Sequence, residues 1–513
     1  MSSSEPKLTA TIKILDEVNV VVIGLRPADY THFYNAFGIF TKGYIFKPQY
    51  KTGRWDGKAR FFSKNGKTSI NLLPYIIPDL KEMGYKVKLM DMRSPANTAV
   101  PEIDDTYFQA FKDSDGNPIT LGEHQVNGVN ALTKNGGGIL LAGTGAGKSI
   151  CAATLVDLYN KYTNFRCLII VPNKDLINQT SADIAVFDIP VGRYYGDVKE
   201  PNAFNVVSTW QSLQNNPQLL GMFQVVIVDE CHGVQGNVLK QMLLENANES
   251  LVRIGLTGTL PKEPAEAMSV KYVLGDVQYT VPARELIDKG WLAKLNLHVR
   301  QLVEDLTPEW NYFKEKRPAD AAGMKYKQFK RDFFPDYPAE KNYLQKAKPR
   351  IEYIANMVEQ EVKKTGNAFV LVNNIPFGKK LADSIENAYF VYGQDESEVR
   401  KKIYALFAEH DDVVVVSTFQ LASTGLNIKR IFNLFLIDAG KSFIQIIQSI
   451  GRGLRKAKDK DTVNVWDVCG DLKFGQKHLK EREKYYDEQK YKFDKILVEY
   501  TKSFDMNSDA VVY

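Results

Sequence analysis

Short apolar runs recur through the middle of the chain, separated by stretches of helical period. Gly138-Ile-Leu-Leu-Ala142, Cys167-Leu-Ile-Ile-Val171, Asn205-Val-Val-Ser208, Val225-Val-Ile-Val228 and Ile254-Gly-Leu256 are near-continuous rather than alternating. Strands buried on both faces and joined by helices predict a parallel, doubly wound α/β sheet. The pattern returns in Ala368-Phe-Val-Leu-Val372, Val413-Val-Val-Val-Ser417, Leu434-Phe-Leu-Ile437 and Val463-Asn-Val-Trp466, predicting a second such domain. Ahead of both, residues 1–95 read as a small α/β module with helices near Pro27–Phe37 and Leu72–Met83. Residues 96–117, which begin among prolines and small polar residues, read as a linker. The expected order is then a first α/β domain at 118–290, a connection or insertion at 291–350, a second α/β domain at 351–470, and an exposed helix with a frayed end at 471–513.

At 513 residues the chain exceeds one domain of roughly 100–200 residues. No repeat of fixed period occurs, which disfavours solenoids and propellers. No apolar stretch reaches membrane-spanning length, and Met1-Ser-Ser-Ser-Glu-Pro-Lys7 lacks an apolar leader, so the expectation is a soluble, unsecreted protein. Four scattered cysteines without a CxxC pair suggest free thiols and no structural metal. A net charge of +5 says little; its distribution says more. From Lys42 to Lys67 eight basic residues face one acid, Asp56. Tyr44, Phe46, Tyr50, Trp55, Phe61 and Phe62 are interleaved with them, a mixture suited to phosphates and stacked bases.

Three constellations carry chemistry. Ala142-Gly-Thr-Gly-Ala-Gly-Lys-Ser149 follows a predicted strand and opens a predicted helix. There glycines let backbone amides converge on a phosphate, Lys148 supplies a point charge, and the Ser149 hydroxyl suits Mg²⁺. Ala142 stands where the general pattern has glycine. Val225-Val-Ile-Val-Asp-Glu-Cys-His232 ends a strand in two acids; Asp229 is placed to orient the Mg²⁺ shell and Glu230 to polarise an attacking water. In the second domain Gln448, Arg452 and Arg455 fall at i, i+4 and i+7, one face of a helix, where arginines can neutralise charge on a transferring phosphoryl group.

The ordered set resembles superfamily 2 helicases and translocases, with two tandem RecA-like domains, from about Thr120 to Asp467. Gln125 is similar to the adenine-reading glutamine of that family. Gly143, Thr144, Gly145, Ala146, Gly147, Lys148 and Ser149 match motif I, and Val171 to Gln179 resembles motif Ia. Ser208-Thr-Trp-Gln211 resembles the next strand-contacting element. Asp229 to His232, with Cys231 where alanine is common, matches motif II, and Leu256 to Thr259 motif III. Val370 to Asn374 resembles motif IV, Ser417 to Leu426 motif V and Gln448 to Arg455 motif VI. Gly43-Tyr-Ile-Phe-Lys-Pro48 with Gly53-Arg-Trp-Asp-Gly-Lys58 resembles the small DNA-binding domain of phage UvsW-type helicases. The resemblance implies ATP and Mg²⁺ as cofactors and single-stranded, forked or four-way-junction DNA as partner. It further implies a monomer acting in the cytoplasm of a bacterial host and roles in recombination, repair and branch migration. Expected DNA contacts are Lys47, Lys51, Arg54, Trp55 and Lys58 in the first module, and Asn173, Thr209, Trp210, Asn373, Thr418 and Thr424 in the motor. Rival readings are a duplex translocase of the restriction or remodelling type, an RNA helicase, and a DNA-binding scaffold with a degenerate nucleotide site.

Overall fold

The computed structural model describes residues 8–113, 116–247, 249–422, 428, 430–500 and 510–512. The chain divides into two compact units, the first comprising the chain up to Gly143 and Gly147–Val281, the second Thr144–Ala146 and the chain from Pro282.

The first unit opens with β1 (Thr9–Ile14), β2 (Asn19–Ile23), β3 (Gly38–Phe40), β4 (Lys58–Arg60), β5 (Lys67–Ser69) and β6 (Lys86–Asp91). Four of these form a sheet in the order β5-β2-β1-β6, and β3 pairs with β4 as a separate antiparallel ribbon. Alternate residues of β1 and β2 are buried. They close a core with Phe33, Phe61, Phe62, Ile76 and Leu80 from the helices Pro27–Ala36 and Leu73–Glu82 and the strand ends.

The larger sheet follows: β7 (Gly137–Ala142), β8 (Cys167–Val171), β9 (Val191–Tyr195), β10 (Val198–Lys199), β11 (Asn205–Thr209), β12 (Val225–Asp229), β13 (Val252–Thr257) and β14 (Val277–Val281). Their order is β10-β9-β11-β8-β12-β13-β7-β14, parallel except for the edge strand β10. The small module is fastened to this sheet's helix Pro264–Leu274. Ser69 Oγ and Asn71 Nδ2 both donate to the Tyr272 carbonyl, at 2.7 and 3.2 Å, and the Tyr75 hydroxyl donates to Asp276 at 2.7 Å. Phe61 packs on Tyr272 with ring centroids 5.3 Å apart. The expected linker is also fastened rather than free. Asn130 exchanges two 2.9 Å hydrogen bonds with the Ile103 backbone, and buried Phe108 stacks on Phe187 at 3.9 Å.

The second unit holds β15 (Lys294–Leu302), β16 (Ala368–Val372), β17 (Ala388–Val391), β18 (Val414–Thr418), β19 (Asn433–Ile437), β20 (Thr462–Gly470), β21 (Phe493–Val498) and β22 (Ala510–Val512). The order is β17-β18-β16-β19-β20-β15-β21-β22, with β22 antiparallel at the edge. Two expectations are corrected here. Residues 291–350 begin with a nine-residue strand, β15, inside the sheet between β20 and β21. Residues 471–513 supply β21 and a helix, Lys473–Glu488, whose face of His478, Leu479, Arg482, Tyr485 and Tyr486 is buried. Both segments look polar because their charges are neutralised by tertiary partners: Arg482 makes a bidentate bond to Asp467, at 2.8 Å each, with both side chains wholly buried. Among the described residues no helix is long and apolar enough to cross a membrane.

Candidate functional site

The loop after β7 turns on Gly145 and Gly147, at φ +88° and +80°, where an L side chain is strained. A Cβ on Gly147 would lie 2.1 Å from Gln125 Nε2, so the glycine also admits the buried Gln125 amide beside the loop. Gln125 Oε1 accepts the Gly122 amide at 2.8 Å, which fixes the start of the helix Glu123–Lys134. The helix Lys148–Thr163 begins at the end of the loop, giving amides and a positive dipole end to an anion. Lys148 Nζ lies 3.3 Å from the Ala142 carbonyl and 3.7 Å from Glu230 Oε1, while Ser149 is exposed on the first turn.

Asp229 ends β12, one strand away from β7 across β13. Glu230 takes a left-handed backbone, φ +49°, a strained conformation for a side-chain-bearing residue and typical of functional positions. Its Oε2 stands 3.3 Å from Thr257 Oγ1 and 3.4 Å from His232 Nδ1, which are themselves 3.1 Å apart. Thr257 and His232 therefore tie the acidic strand end to Leu256–Thr259 and orient the Glu230 carboxylate. Cys231 fits for a packing reason: a Cβ on Gly255 would lie 2.8 Å from its sulfur. Burial, and after it the Glu230 carboxylate, hold the Asp229 carboxyl above the usual carboxylate range, against the pull of Lys148. Two carboxylates beside one ammonium leave a net negative charge, which suits a divalent cation. The residues present fit a magnesium nucleotide.

In the second unit Asp438 to Ser442 lead from β19 into the helix Phe443–Gly453. Arg350, fully buried, makes a bidentate bond to Asp438 at 2.9 and 2.7 Å and a third bond to Glu304 at 2.9 Å. Arg482 donates to the Ala439 carbonyl, and the Tyr485 hydroxyl to that of Lys441 at 2.9 Å. Gln448 is buried on the helix. Arg455 departs from the expected helical face, because the helix ends at Gly453. Lys460 Nζ draws in the carbonyls of Gly453 and Arg455, and the Ala293 amide takes that of Leu454 at 2.8 Å. Arg452 lies on the helix, but its side chain is outside the described residues, as is Thr424.

The expected DNA contacts divide into open and engaged groups. Lys47, Lys51 and Arg54 are exposed on the turn between β3 and β4, with Lys47 Nζ 5.0 Å from the Trp55 ring centre and Lys58 Nζ 4.7 Å from that of Phe40. Trp55 Nε1 donates to the Lys58 carbonyl at 2.9 Å, which holds the ring in place. Asn173 and Thr209 cap the helices Lys174–Ala185 and Trp210–Leu213 through their side-chain oxygens. Both line one cavity of about 410 Å³ together with Lys174, Lys199 and Gln211. Lys174 and Gln211 fall within the segments Val171–Gln179 and Ser208–Gln211 singled out in the sequence without being named as contacts, whereas Lys199 lies outside every motif. Trp210 packs half-buried on the first unit's core. Asn373 donates to the Asp438 carbonyl, and Thr418 Oγ1 accepts the Leu421 amide at 3.4 Å. These two side chains stabilise loop ends in the structure described.

Three family descriptions match successive parts of the chain. "DNA helicase UvsW, N-terminal" matches residues 13–90, "Type III restriction enzyme, res subunit" residues 109–262, and "Helicase conserved C-terminal domain" residues 349–457. The ATP-dependent DNA helicase uvsW of Enterobacteria phage T4 is 25% identical over 464 residues, 88% of each chain. The DNA 3'-5' translocase XPB2 of Sulfurisphaera tokodaii is 29% identical over 232 residues, 44% of this chain and 48% of its own. In fold, the chain is similar to a fragment of an HsdR subunit of a type I restriction enzyme from Vibrio vulnificus YJ016. The TM-score is 0.54 at 17% identity, covering 80% of this chain and 72% of that one. A UvsW-type amino-terminal domain, a phosphate loop with its acidic strand end and a helicase carboxy-terminal domain thus follow one another in order, so the chain carries superfamily 2 helicase domains and is similar to the phage UvsW type.

Proposed function

We propose that the protein is an ATP-dependent DNA helicase that unwinds and branch-migrates forked and four-way-junction DNA, as a monomer, in the cytoplasm of a bacterial host. The ATP-dependent DNA helicase activity itself follows from the helicase domains and from the likeness to phage T4 UvsW. One observation carries the branched-DNA reading: the basic, aromatic ribbon belongs to a module hydrogen-bonded to Tyr272 and Asp276 of the first RecA-like domain. A duplex held by Lys47, Lys51, Arg54, Trp55 and Lys58 would then move with that domain while the motor steps along a strand, gripping phosphates rather than base edges.

Within the nucleotide site Gln125 would recognise the base, and the loop Gly143–Ser149 would cradle the phosphates. Ser149 and Asp229 would hold Mg²⁺, which supplies charge neutralisation on the phosphates. Glu230, oriented by Thr257 and His232, would take the proton of the attacking water. Gln448, Arg452 and Arg455 are the proposed polar and cationic groups for the charge that develops in transfer. Replacing Glu230 by Gln keeps the shape and removes the base. Single-turnover hydrolysis is expected to fall by about 10² to 10⁴, with nucleotide binding within a factor of about three of the parent.

The match to a restriction subunit and to XPB2 keeps duplex translocation without strand separation as a second reading. ATP-driven strand release from fork and four-way junction, with blunt duplex intact, is the expected result. Triplex displacement alone would favour translocation, and stimulation by RNA but not DNA would overturn both.

A further inference from the structure

Between β15 and the helix Lys348–Thr365 lies a layer of short helices that neither the restriction-subunit match nor the helicase carboxy-terminal match reaches. The layer has its own core of Leu306, Phe329, Phe334, Leu344 and Leu472, closed by Trp310, Phe313, Tyr326 and Phe333. The Tyr326 hydroxyl accepts the Leu306 amide at 2.8 Å, and Trp310 lies 4.9 Å from Phe329. This aromatic core makes the segment a platform rather than a loose connection.

On the platform opens a cavity of about 440 Å³. Lys325, Lys327, Lys330 and Arg331 line it from the short helices and Lys473 from the carboxy-terminal helix, against one acid, Asp471. Lys330 already neutralises Asp471 at 2.8 Å, and Arg331 pairs with Asp332 at 2.6 Å. Lys325, Lys327 and Lys473 are exposed; Lys473 shares the field of Asp332 with Arg331, which already pairs with that carboxylate, so the cluster keeps an excess of positive charge. Like charges gathered in one concavity repel until an anion enters, and such a cleft concentrates the field that draws one in.

We propose that this cavity is a DNA-backbone contact of the second unit, in which Lys325, Lys327 and Lys473 neutralise consecutive phosphates of one strand. The inference rests on the helicase reading above. A strand fits better than a small anion because the three cations stand on two separate elements. A small anion meets one or two of them, whereas each DNA strand offers a phosphate for roughly every 3.4 Å of helix axis.

The test uses the full chain with Lys325, Lys327 and Lys473 all changed to Gln, and fluorescence anisotropy of forked DNA across a salt series. Losing three phosphate contacts should flatten the slope of log affinity against log salt by about 2 and weaken binding roughly 100-fold near 0.1 M salt. Thermal melting and DNA-free ATP hydrolysis should stay unchanged, and the triple Lys→Arg variant should bind like the parent. Lys327→Gln alone, a milder change, should flatten the slope by about 0.7. An unchanged slope in a folded variant would overturn the site while leaving the helicase reading intact. Calorimetric loss of inorganic pyrophosphate binding with an unchanged DNA slope would assign the cavity to a small anion and also overturn it. A parent chain that binds no DNA would overturn both.

Discussion

Lys148→Ala is expected to lower ATP hydrolysis by about 10³-fold, equivalent to roughly 4 kcal/mol of transition-state stabilisation. The ammonium is the cation within 4 Å of Glu230 in the loop, 3.7 Å from its Oε1, and it offsets the buried Asp229 carboxyl as well. Glycines and the helix start set the loop backbone, so the change should remove charge without moving the amides. DNA affinity without nucleotide is therefore expected to stay within a factor of about two, because phosphate contacts elsewhere set it. Lys148→Arg should not restore activity, since a planar guanidinium does not replace a compact point charge. Steady-state hydrolysis, with anisotropy on forked DNA, separates the effects. Hydrolysis at more than about a tenth of the parental rate would leave the scaffold reading standing and remove the motor.

Arg350→Met should produce the largest loss of stability. The substitution strands the Glu304 and Asp438 carboxylates in a dry site, with one side of the Arg350 fork gone from each. Breaking one partner of a buried pair costs about 3–5 kcal/mol, which corresponds to a fall of roughly 10 °C in the melting transition of the second unit. The pH dependence follows from Glu304. Burial already holds its carboxyl above the usual range, despite Arg350 and the Tyr500 hydroxyl 2.6 Å away, and removing the guanidinium raises it further. A carboxyl raised on folding binds more protons in the folded state, so its stability is present at low pH and lost as pH rises through the folded value. The deficit of the variant should accordingly be smaller near pH 5 than near pH 8, by differential scanning calorimetry. A deficit independent of pH would show that Glu304 is not the group left exposed to the loss. Because Asp438 opens the segment leading into Phe443–Gly453, slower hydrolysis should accompany the weaker fold.

The nucleotide loop was legible because its chemistry is local. Gly147, Lys148 and Ser149 are adjacent, and the strand and helix around them have strong apolar signals. The acidic pair was legible for the same reason. Thr257 and His232 as supports of Glu230 were not, because their approach depends on β12 and β13 lying side by side. Arg455 was misplaced by a helical count that continued past Gly453, where Lys460 and Ala293 end the helix with bonds from outside it. Several expected DNA contacts, Asn173, Thr209 and Thr418 among them, also serve as caps, a local use that the residue type predicts equally well.

By itself the amino-acid sequence determined two parallel-sheet domains, a basic amino-terminal module and a glycine-rich loop between a strand and a helix, since each depends on periodicity or on neighbours a few positions apart. Only the tertiary structure decided that the polar segments after Trp291 and Asp471 belong inside the second sheet. Their charges look solvated in sequence but are cancelled by partners far along the chain: Arg482 by Asp467, and Arg350 by Glu304 and Asp438. A buried ion pair leaves no periodic trace, because the cost of burying one member is offset by a residue whose position only folding sets.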